Sequence, residues 1–382
     1  MNDMPPPPSR RQILNFALAT GVGAAIGAAA ARAKADPPQP ADLESMLPKL
    51  RQIHDHLLSL AGKWVDARQL ARADGFIYTV DAAQLMICFA QAGDVRGYAA
   101  LREHAVKNVI RDSPKDAFTK GFVSWRWKAG EKLDASGTTE ALRTAKGLWL
   151  GATAFNRPAD ADLAITVLQG YSRHSVVDQG IWIIRNYFGF GTRSFASNSF
   201  LVDYDPDFVR EVADARKDAE LQKLADECYG VITLAIAPSG LLYDMVQPEV
   251  KTLFPELNLA AFSPNDVIQL SNCCTTAITV ARGLPAVARK VLAFALGRMD
   301  DLRTYYLGRD GAPLNDKAAN ISEYNTLVRL AAALASGQAT ATIADRALPI
   351  WSYFAEHAEP SQLYLVTETL QAVQAMIGMK KA

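Results

Sequence analysis

Hydrophobic residues recur at intervals of three and four along most of the chain, which is the periodicity of amphipathic helices. Several of these segments open with residues that favour a helix N-terminus, among them Asp81, Asp207 and Ser271. No alternating run of hydrophobic and polar residues is long enough to indicate a large sheet, so the pattern predicts an all-α fold. The helical segments are 42–60, 81–90, 97–110, 139–153, 159–171, 207–215, 219–237, 271–281, 284–296, 323–335 and 361–376.

The connections between these segments alternate between long and short. The long ones, such as 122–134 and 186–207, contain Trp, Tyr, Phe, Asp and Gly, and loops of that length in a compact domain are usually functional. About a dozen helices paired as hairpins around an axis would form an (α/α)6 barrel, with its cleft where the inner helices begin. A helical solenoid is the alternative, but no repeat of about 30 to 45 residues recurs. We therefore expect one barrel domain over residues 42–382.

The N-terminus has the layout of an export signal. Arg10 and Arg11 precede a weakly hydrophobic Ala- and Gly-rich stretch over residues 13–31, which ends at the small-x-small sequence Ala33-Lys34-Ala35. This arrangement predicts a twin-arginine signal over residues 1–35 and a linker over 36–41, and hence a periplasmic or secreted protein. A general secretion signal or an uncleaved anchor would give a similar pattern.

The composition of the chain argues against several classes of function. Among the 382 residues, 49% are hydrophobic and 40 basic side chains balance 40 acidic ones, which excludes a disordered chain and argues against a nucleic-acid binder. Four cysteines and five histidines without CxxC or HxxxH spacing make a metal site unexpected. There is no P-loop, dinucleotide fingerprint or Gly-x-Ser-x-Gly elbow, so no cofactor is expected. Beyond the N-terminus no apolar stretch is long enough to predict a membrane span.

Carboxylates and aromatic residues meet at four predicted helix starts, in residues 74–78, 121–140, 197–207, and 240–244 together with 263–266. A pair of carboxyl groups converging on one cleft is what glycosidic cleavage requires, because one protonates the leaving oxygen and the other activates water. Tyr and Trp rings offer flat faces for sugar rings. Each residue also has a structural interpretation: Asp74 fits a turn, Asp266 an N-cap and Glu140 a capping box.

The order and spacing of these clusters resemble glycoside hydrolase family 8, over roughly residues 47–296. The segment Asp74-Gly75-Phe76-Ile77-Tyr78 is similar to the family's general-acid segment, with Asp in place of Glu. Phe122-Val123-Ser124-Trp125-Arg126 resembles a Phe-x-Trp-Arg segment, and Gly240 to Asp244 resembles Gly-Leu-x-x-Asp-Trp. Asp266 occupies the position of the family's base. Gly137 stands where the family has a substrate-binding Asp, and the two arginines that follow the family's base are absent.

The resemblance implies an inverting hydrolase of a β-linked polysaccharide, such as a glucan or an exopolysaccharide, with Asp74 as acid and Asp266 as base. Glu140 and Asp244 are further candidates for catalysis or substrate contact. A bacterial exopolysaccharide system, including its synthesis or export machinery, is the expected setting. The expected substrate contacts are Tyr78, Trp125, Arg126, Trp127, Phe200 and Tyr204.

Two other functions remain open. Because several family residues are replaced, the barrel could have lost catalysis and bind a glycan or an export partner. Alternatively, the chain could be a six-hairpin uronyl hydrolase or polysaccharide lyase, with Tyr171, Arg173 and His174 facing an acidic sugar. A basic cleft would favour a uronic-acid substrate, whereas a neutral aromatic cleft would favour a glucan. The sequence leaves the sugar, the linkage and the oligomeric state open.

Overall fold

The computed structural model describes residues 42–178, 180–246 and 265–379, in which the chain forms twelve α-helices. The predicted signal and linker lie outside the described residues, as does part of the segment before Asp266. The helices are α1 Leu43–Asp66, α2 Thr79–Ala92, α3 Val95–His104, α4 Thr138–Ala154, α5 Pro158–Ser172, α6 Pro206–Arg216, α7 Ala219–Leu234, α8 Leu270–Thr279, α9 Pro285–Leu296, α10 Ile321–Ala333, α11 Gly337–Glu356 and α12 Leu363–Gly378.

The even-numbered helices form a closed inner ring and the odd-numbered helices pack outside it. Around the ring, α2 packs on α4 and α12, and α10 packs on α8 and α12. The 3₁₀ turn Leu201–Asp203 and helix α6 join α4 to α8. Each outer helix packs on an inner neighbour, for example α5 on α4 and α7 on α6. This arrangement is an (α/α)6 barrel and confirms the fold predicted from the sequence.

Burial separates the two layers. Every residue of inner helix α2 from Thr79 to Ala90 is buried, as expected of a helix enclosed on all sides. Outer helix α1 instead buries one stripe of residues, including Leu50 and Leu57, and exposes the rest. Side-chain caps fix several helix starts. Asp42 accepts the Glu44 N–H at the start of α1.

The structure differs from the predicted helices in two places. Helix α11 was not predicted, because Gly337 and Pro349 lower its intrinsic propensity, whereas packing of its buried residues, such as Trp351, against the barrel stabilises it. The predicted helix 97–110 ends at His104 and continues as a π-helical turn, Ala105–Val109.

Short antiparallel strand pairs lie in the connections between the helices, and within the described residues no sheet exceeds two strands. The antiparallel pairs are β1 with β2, β3 with β4, β5 with β6, β7 with β8, and β9 with β10. Two of these pairs, β1 with β2 and β9 with β10, contain a strand that leads directly into an inner helix. The strands are β1 Ile77–Tyr78, β2 Arg126–Trp127, β3 Ser175–Asp178, β4 Ile181–Ile184, β5 Phe188–Gly189, β6 Ser194–Phe195, β7 Ser199–Phe200, β8 Met245–Val246, β9 Val267–Gln269 and β10 Tyr305–Leu307.

The four cysteines are buried and free. Burial raises the pKa of the Cys273 thiol to about 12, so the neighbouring Cys273 and Cys274 serve as packing groups on α8. The described ranges contain no group of three His, Cys, Asp or Glu side chains arranged for a metal ion. In the same ranges no helix combines the length and apolar character needed to cross a membrane.

Candidate active site

The first candidate cluster forms where β1 pairs with β2, at the start of inner helix α2. Ile77 lies opposite Trp127 and Tyr78 lies opposite Arg126. This pairing brings together two segments that are about 50 residues apart in sequence, both of which were selected as candidates from the sequence alone. The cluster therefore sits at the end of the barrel where the inner helices begin.

Asp74 is exposed at this cluster and its carboxylate is oriented by two hydrogen bonds. The Tyr78 hydroxyl donates to Oδ2 at 2.8 Å and the Phe76 amide donates to Oδ1 at 3.0 Å. Burial, and then the bond to Asp74, raise the pKa of Tyr78 to about 12, so Tyr78 remains a hydroxyl donor at neutral pH. The Asp74 carboxylate is thus accessible to solvent and held in a fixed orientation.

Aromatic rings and a guanidinium group surround this carboxylate. The Tyr78 and Trp125 rings meet edge to face, with their centroids 5.5 Å apart. The Arg126 guanidinium lies 3.9 Å from the Phe76 ring centroid and 4.3 Å from that of Trp125. Asp134 accepts the Trp125 indole N–H at 2.7 Å and an Arg126 N–H at 3.1 Å. These contacts fix the side chains next to Asp74, of which Phe76 and Arg126 are partly exposed while Tyr78 and Trp125 are buried.

Trp127 points to a different neighbour. Its ring packs edge to face against His104, with centroids 5.2 Å apart, at the end of α3. Trp127 is partly buried there, so it links the hairpin to the outer layer.

Asp266 is held in a second cluster, directly before β9 and α8. It is fully buried and has a positive φ of 53°. Its Oδ2 accepts Arg309 Nε at 2.7 Å, and its Oδ1 accepts the Tyr243 hydroxyl at 3.3 Å. A Cβ at Gly308 would come within 2.6 Å of Oδ1, so a glycine is needed beside this carboxylate. Both carboxylate oxygens of Asp266 are therefore engaged by the protein.

Asp244 and Glu140 occupy supporting positions. Asp244 accepts the Gln269 N–H at 3.1 Å, and its own carbonyl accepts the Leu201 N–H at 2.9 Å, so it connects β9 with the 3₁₀ turn. Glu140 lies in the first turn of α4, and its carboxylate folds back so closely that a Cβ at Gly137 would collide with it.

The remaining predicted contacts differ in accessibility. Phe200 is partly buried on β7, opposite Met245. Tyr204 is completely buried, and its hydroxyl accepts the Ile184 N–H at 2.8 Å and lies 2.7 Å from Ser199 Oγ. The structure gives Tyr204 a role in the core and does not support the substrate contact expected for it.

The residues considered for a lyase do not converge on the cleft. Tyr171 is fully buried and donates to the Asp203 carbonyl at 2.8 Å. His174 is buried between the Ser136 hydroxyl at 2.8 Å and the Gly170 carbonyl at 3.1 Å. Arg173 donates to the Phe118 carbonyl on the outside of the barrel. These contacts favour structural roles for all three side chains.

Sequence analysis missed a polar cavity near the barrel axis, at the N-terminal ends of α8, α10 and α12. Glu368 contributes a carboxylate that accepts the Ser322 hydroxyl at 2.9 Å. Glu368 lies in the middle of the predicted helix 361–376, where a polar residue is expected on the side of the helix that faces solvent. The cavity is lined by Val202, Ser271, Asn272, Thr275, Ser322, Tyr364 and Glu368.

Neither a family model nor a curated protein matches the chain. Solved structures do resemble it. A β-1,3-1,4-glucanase from Paenibacillus sp. X4 has a TM-score of 0.62 at 14% identity, covering 90% of this chain and 93% of that one. The endo-β-1,4-glucanase CMCax from Acetobacter xylinum has a TM-score of 0.59 at 15% identity, covering 81% and 92%.

A solved structure named for a different activity also resembles this chain. An α-amylase from Clostridium perfringens has a TM-score of 0.62 at 12% identity, covering 78% of this chain and 86% of that one. At such low identity these likenesses establish the (α/α)6 fold, and activity has to be argued from the site.

Proposed function

We propose that this protein is an exported glycoside hydrolase that cleaves a β-linked polysaccharide. The observation that carries the proposal is the exposed Asp74 carboxylate beside Tyr78, Phe76 and Trp125 at the mouth of the barrel. The carboxyl group provides a proton donor, and the partly exposed Phe76 ring beside it offers apolar surface to a sugar. The glucanases among the structural neighbours, and a GH8 xylanase from Teredinibacter turnerae, are named for β-linked substrates, which favours that linkage.

In the proposed mechanism, Asp74 protonates the glycosidic oxygen and Asp266 activates a water molecule on the opposite face of the sugar, which inverts the anomeric centre. Asp74 is accessible for the first step, and Tyr78 holds its direction. The Arg309 guanidinium holds Asp266 as a fixed anion. Since Asp266 is buried, the mechanism requires that one of its oxygens reaches water once a glycan is bound.

Export by the twin-arginine route and a role in an exopolysaccharide system are parts of the same proposal. The export route rests on Arg10 and Arg11 before the weakly hydrophobic stretch, and the exopolysaccharide setting rests on the resemblance to glycoside hydrolase family 8 together with that signal. Replacing both arginines with lysine should retain the protein in the cytoplasm. Fractionation of cells and N-terminal sequencing of the exported protein would test the route and the cleavage after Ala35.

The central experiment measures reducing ends released from cellulose, mixed-linkage glucan, xylan, chitosan and acidic exopolysaccharides. Asp74→Asn and Asp266→Asn should each abolish release, while Asp214→Asn, an exposed control on α6, should retain it. Product anomers followed by NMR should show inversion. Release that persists in both site variants would contradict the proposed carboxylate pair.

One observation favours a second function, a glycan-binding barrel without catalysis. Both oxygens of Asp266 are already engaged, by Arg309 and Tyr243, and a base needs a free oxygen. Binding of a polysaccharide without any release of reducing ends, in the wild-type protein and in Asp266→Asn alike, would support this function.

A further inference from the structure

A small cavity lies between the inner helices α2 and α4 and the π-helical turn that follows α3. Thr79, His104 and Thr144 are the residues of its wall that carry polar side chains, and the rest of the wall is alanine, valine, leucine and methionine. About 10 Å³ of the cavity is available to the centre of a water molecule, which is enough for one bound water. A ligand in this cavity is therefore small and makes its polar contacts with those three side chains.

The spacing of the wall residues shows which faces of these elements meet at the cavity. On α2, Ala83 and Met86 lie one and two turns after Thr79 on the same face, and all three line the cavity. The π-helical turn lines it with its first and last residues, Ala105 and Val109. Turns of this kind are rare and are frequently found at functional sites.

Each of the three polar side chains has an unpaired atom. Thr79 Oγ1, Thr144 Oγ1 and His104 Nε2 are buried, and none of them has a hydrogen-bond partner among the described residues. Eight buried side-chain atoms in the described ranges lack a partner, and three of the eight belong to residues of this one cavity. Because an unpaired buried polar group is costly, proteins commonly pair such groups with internal water.

The Thr144 hydroxyl differs from that of an ordinary helical threonine. Thr340 on α11 is fully buried, and its hydroxyl donates to the carbonyl of Ser336, four residues before it, at 2.8 Å. Thr144 lies in the interior of α4 and is 1% exposed, but its hydroxyl makes no such bond within the part of the chain that the structure describes. It is therefore available to a ligand in the cavity.

His104 presents a hydrogen-bond donor to the cavity. Its Nδ1 lies 2.9 Å from the Asn108 amide nitrogen. Since an amide nitrogen only donates, Nδ1 accepts, and the neutral ring carries its proton on Nε2. Burial lowers the pKa of His104, which favours this neutral form. The Nε2–H group then needs an acceptor, and the described residues supply none.

Water matches this set of groups better than an ion or an apolar molecule does. A water oxygen accepts from the Nε2–H group, and water can donate to, or accept from, each threonine hydroxyl. An ion would lack an opposite charge, because none of the described residues of the wall is acidic and none is a lysine or an arginine. An apolar molecule would leave all three polar atoms unpaired.

We propose that one internal water molecule binds in this cavity and joins His104 to Thr79 and Thr144. The water accepts the Nε2–H group of the histidine and makes one hydrogen bond with each threonine hydroxyl. It thereby ties the π-helical turn to the two inner helices. The proposal concerns the wall of the barrel and does not depend on the hydrolase function.

The proposed water site is adjacent to the candidate active site. Thr79 comes directly after Tyr78, whose hydroxyl donates to Asp74, and the Thr79 N–H donates to the Trp125 carbonyl at 3.0 Å. On the other side of the cavity, the histidine ring packs against Trp127. The water therefore connects both strands of the β1–β2 pair to the wall of the barrel.

A crystal structure of the full chain tests the proposal directly. It should show one water about 2.7–3.2 Å from His104 Nε2 and from both threonine oxygens. The protein that carries both Thr79→Val and Thr144→Val retains the branched side chains without their hydroxyls and should lack this water. A wild-type cavity without water would overturn the proposal. An anomalous signal in the cavity of a crystal grown with bromide would also overturn it, since the ligand would then be an anion.

Thermal unfolding tests the same site in solution. Thr79→Val and Thr144→Val should each lower Tm, and the double variant should lose clearly less than the sum, because the two hydroxyls share one water. Thr340→Val is the matched control, since its hydroxyl bonds within its own helix, and its loss should add to that of Thr144→Val. Losses of Thr79→Val and Thr144→Val that add fully would contradict a shared water.

Discussion

His174 should make the stability of the barrel depend on pH between 7 and 4. The imidazole is buried, its Nε2 lies 2.8 Å from the Ser136 hydroxyl, and its Nδ1 lies 3.1 Å from the Gly170 carbonyl. The carbonyl can only accept, so Nδ1 carries a proton, and in the neutral ring Nε2 accepts the Ser136 hydroxyl. Burial is the main cause that lowers the pKa of His174 from 6.5 to about 4.

The sign and size of this pH dependence follow from the linkage between proton binding and folding. Because the folded pKa lies below the unfolded pKa, the stabilisation is complete above about pH 6.5 and is lost as the pH falls toward about 4. The full difference of about 2.5 pKa units corresponds to about 3 kcal/mol, and about 2 kcal/mol of it is lost by about pH 5.

Urea unfolding at pH 7, 6 and 5 would measure this effect in wild type, in His174→Gln and in the exposed control His56→Gln. The free energy of unfolding should fall by about 2 kcal/mol more in wild type than in His174→Gln, and the control should follow wild type. Protonation of His104, whose pKa burial also lowers, has the same sign and cancels in the comparison. Equal slopes in all three proteins, or an NMR titration of His174 near pH 6.5, would refute the reasoning.

Three substitutions probe the core. Trp351→Phe leaves the Asn325 oxygen, now 2.7 Å from the indole nitrogen, without its donor and should cost about 1–3 kcal/mol in urea unfolding. Asp160→Ala removes a buried carboxylate that accepts the Tyr98 hydroxyl at 2.7 Å; since its arginine partners are partly exposed, we expect a loss of about 2 kcal/mol. Gly308→Ala should lower Tm and displace Asp266, at about 1–3 kcal/mol, whereas Gly337→Ala, which has open space, should not.

The hydrophobic pattern predicted most helices of the barrel, because an outer helix such as α1 buries one stripe of residues and the enclosed inner helix α2 is hydrophobic along most of its length. The pairing of β1 with β2 was beyond that pattern, since two-residue strands carry no periodicity. Both halves of the Asp74 cluster were nevertheless selected, because aromatic residues and carboxylates concentrate in the two loops. The sequence alone could not separate Trp125, which borders the cluster, from Tyr204, which the core encloses.

Sequence analysis missed Glu368 for a geometric reason. On a surface helix, polar residues mark the side that faces solvent. In a closed ring of helices, the same polar stripe faces the axis, and periodicity is identical in the two cases. Only ring closure, with α12 packing on α2, shows that the Glu368 carboxylate lies inside the barrel.

Asp74 and Asp266 therefore need different tests, because one is exposed and the other anchors an arginine. Asp266→Asn removes a charge and also the ion pair with Arg309, so lost activity alone would not identify a base. Adding Arg309→Met to Asp266→Asn removes the other member of that pair, and because the Arg309 side chain is partly exposed it should recover about 1 kcal/mol of the lost stability. If Tm recovers and activity does not, Asp266 acts on water. If both recover, its part is structural and another carboxylate is the base. Circular dichroism and reducing-end release on the same preparations would distinguish the two.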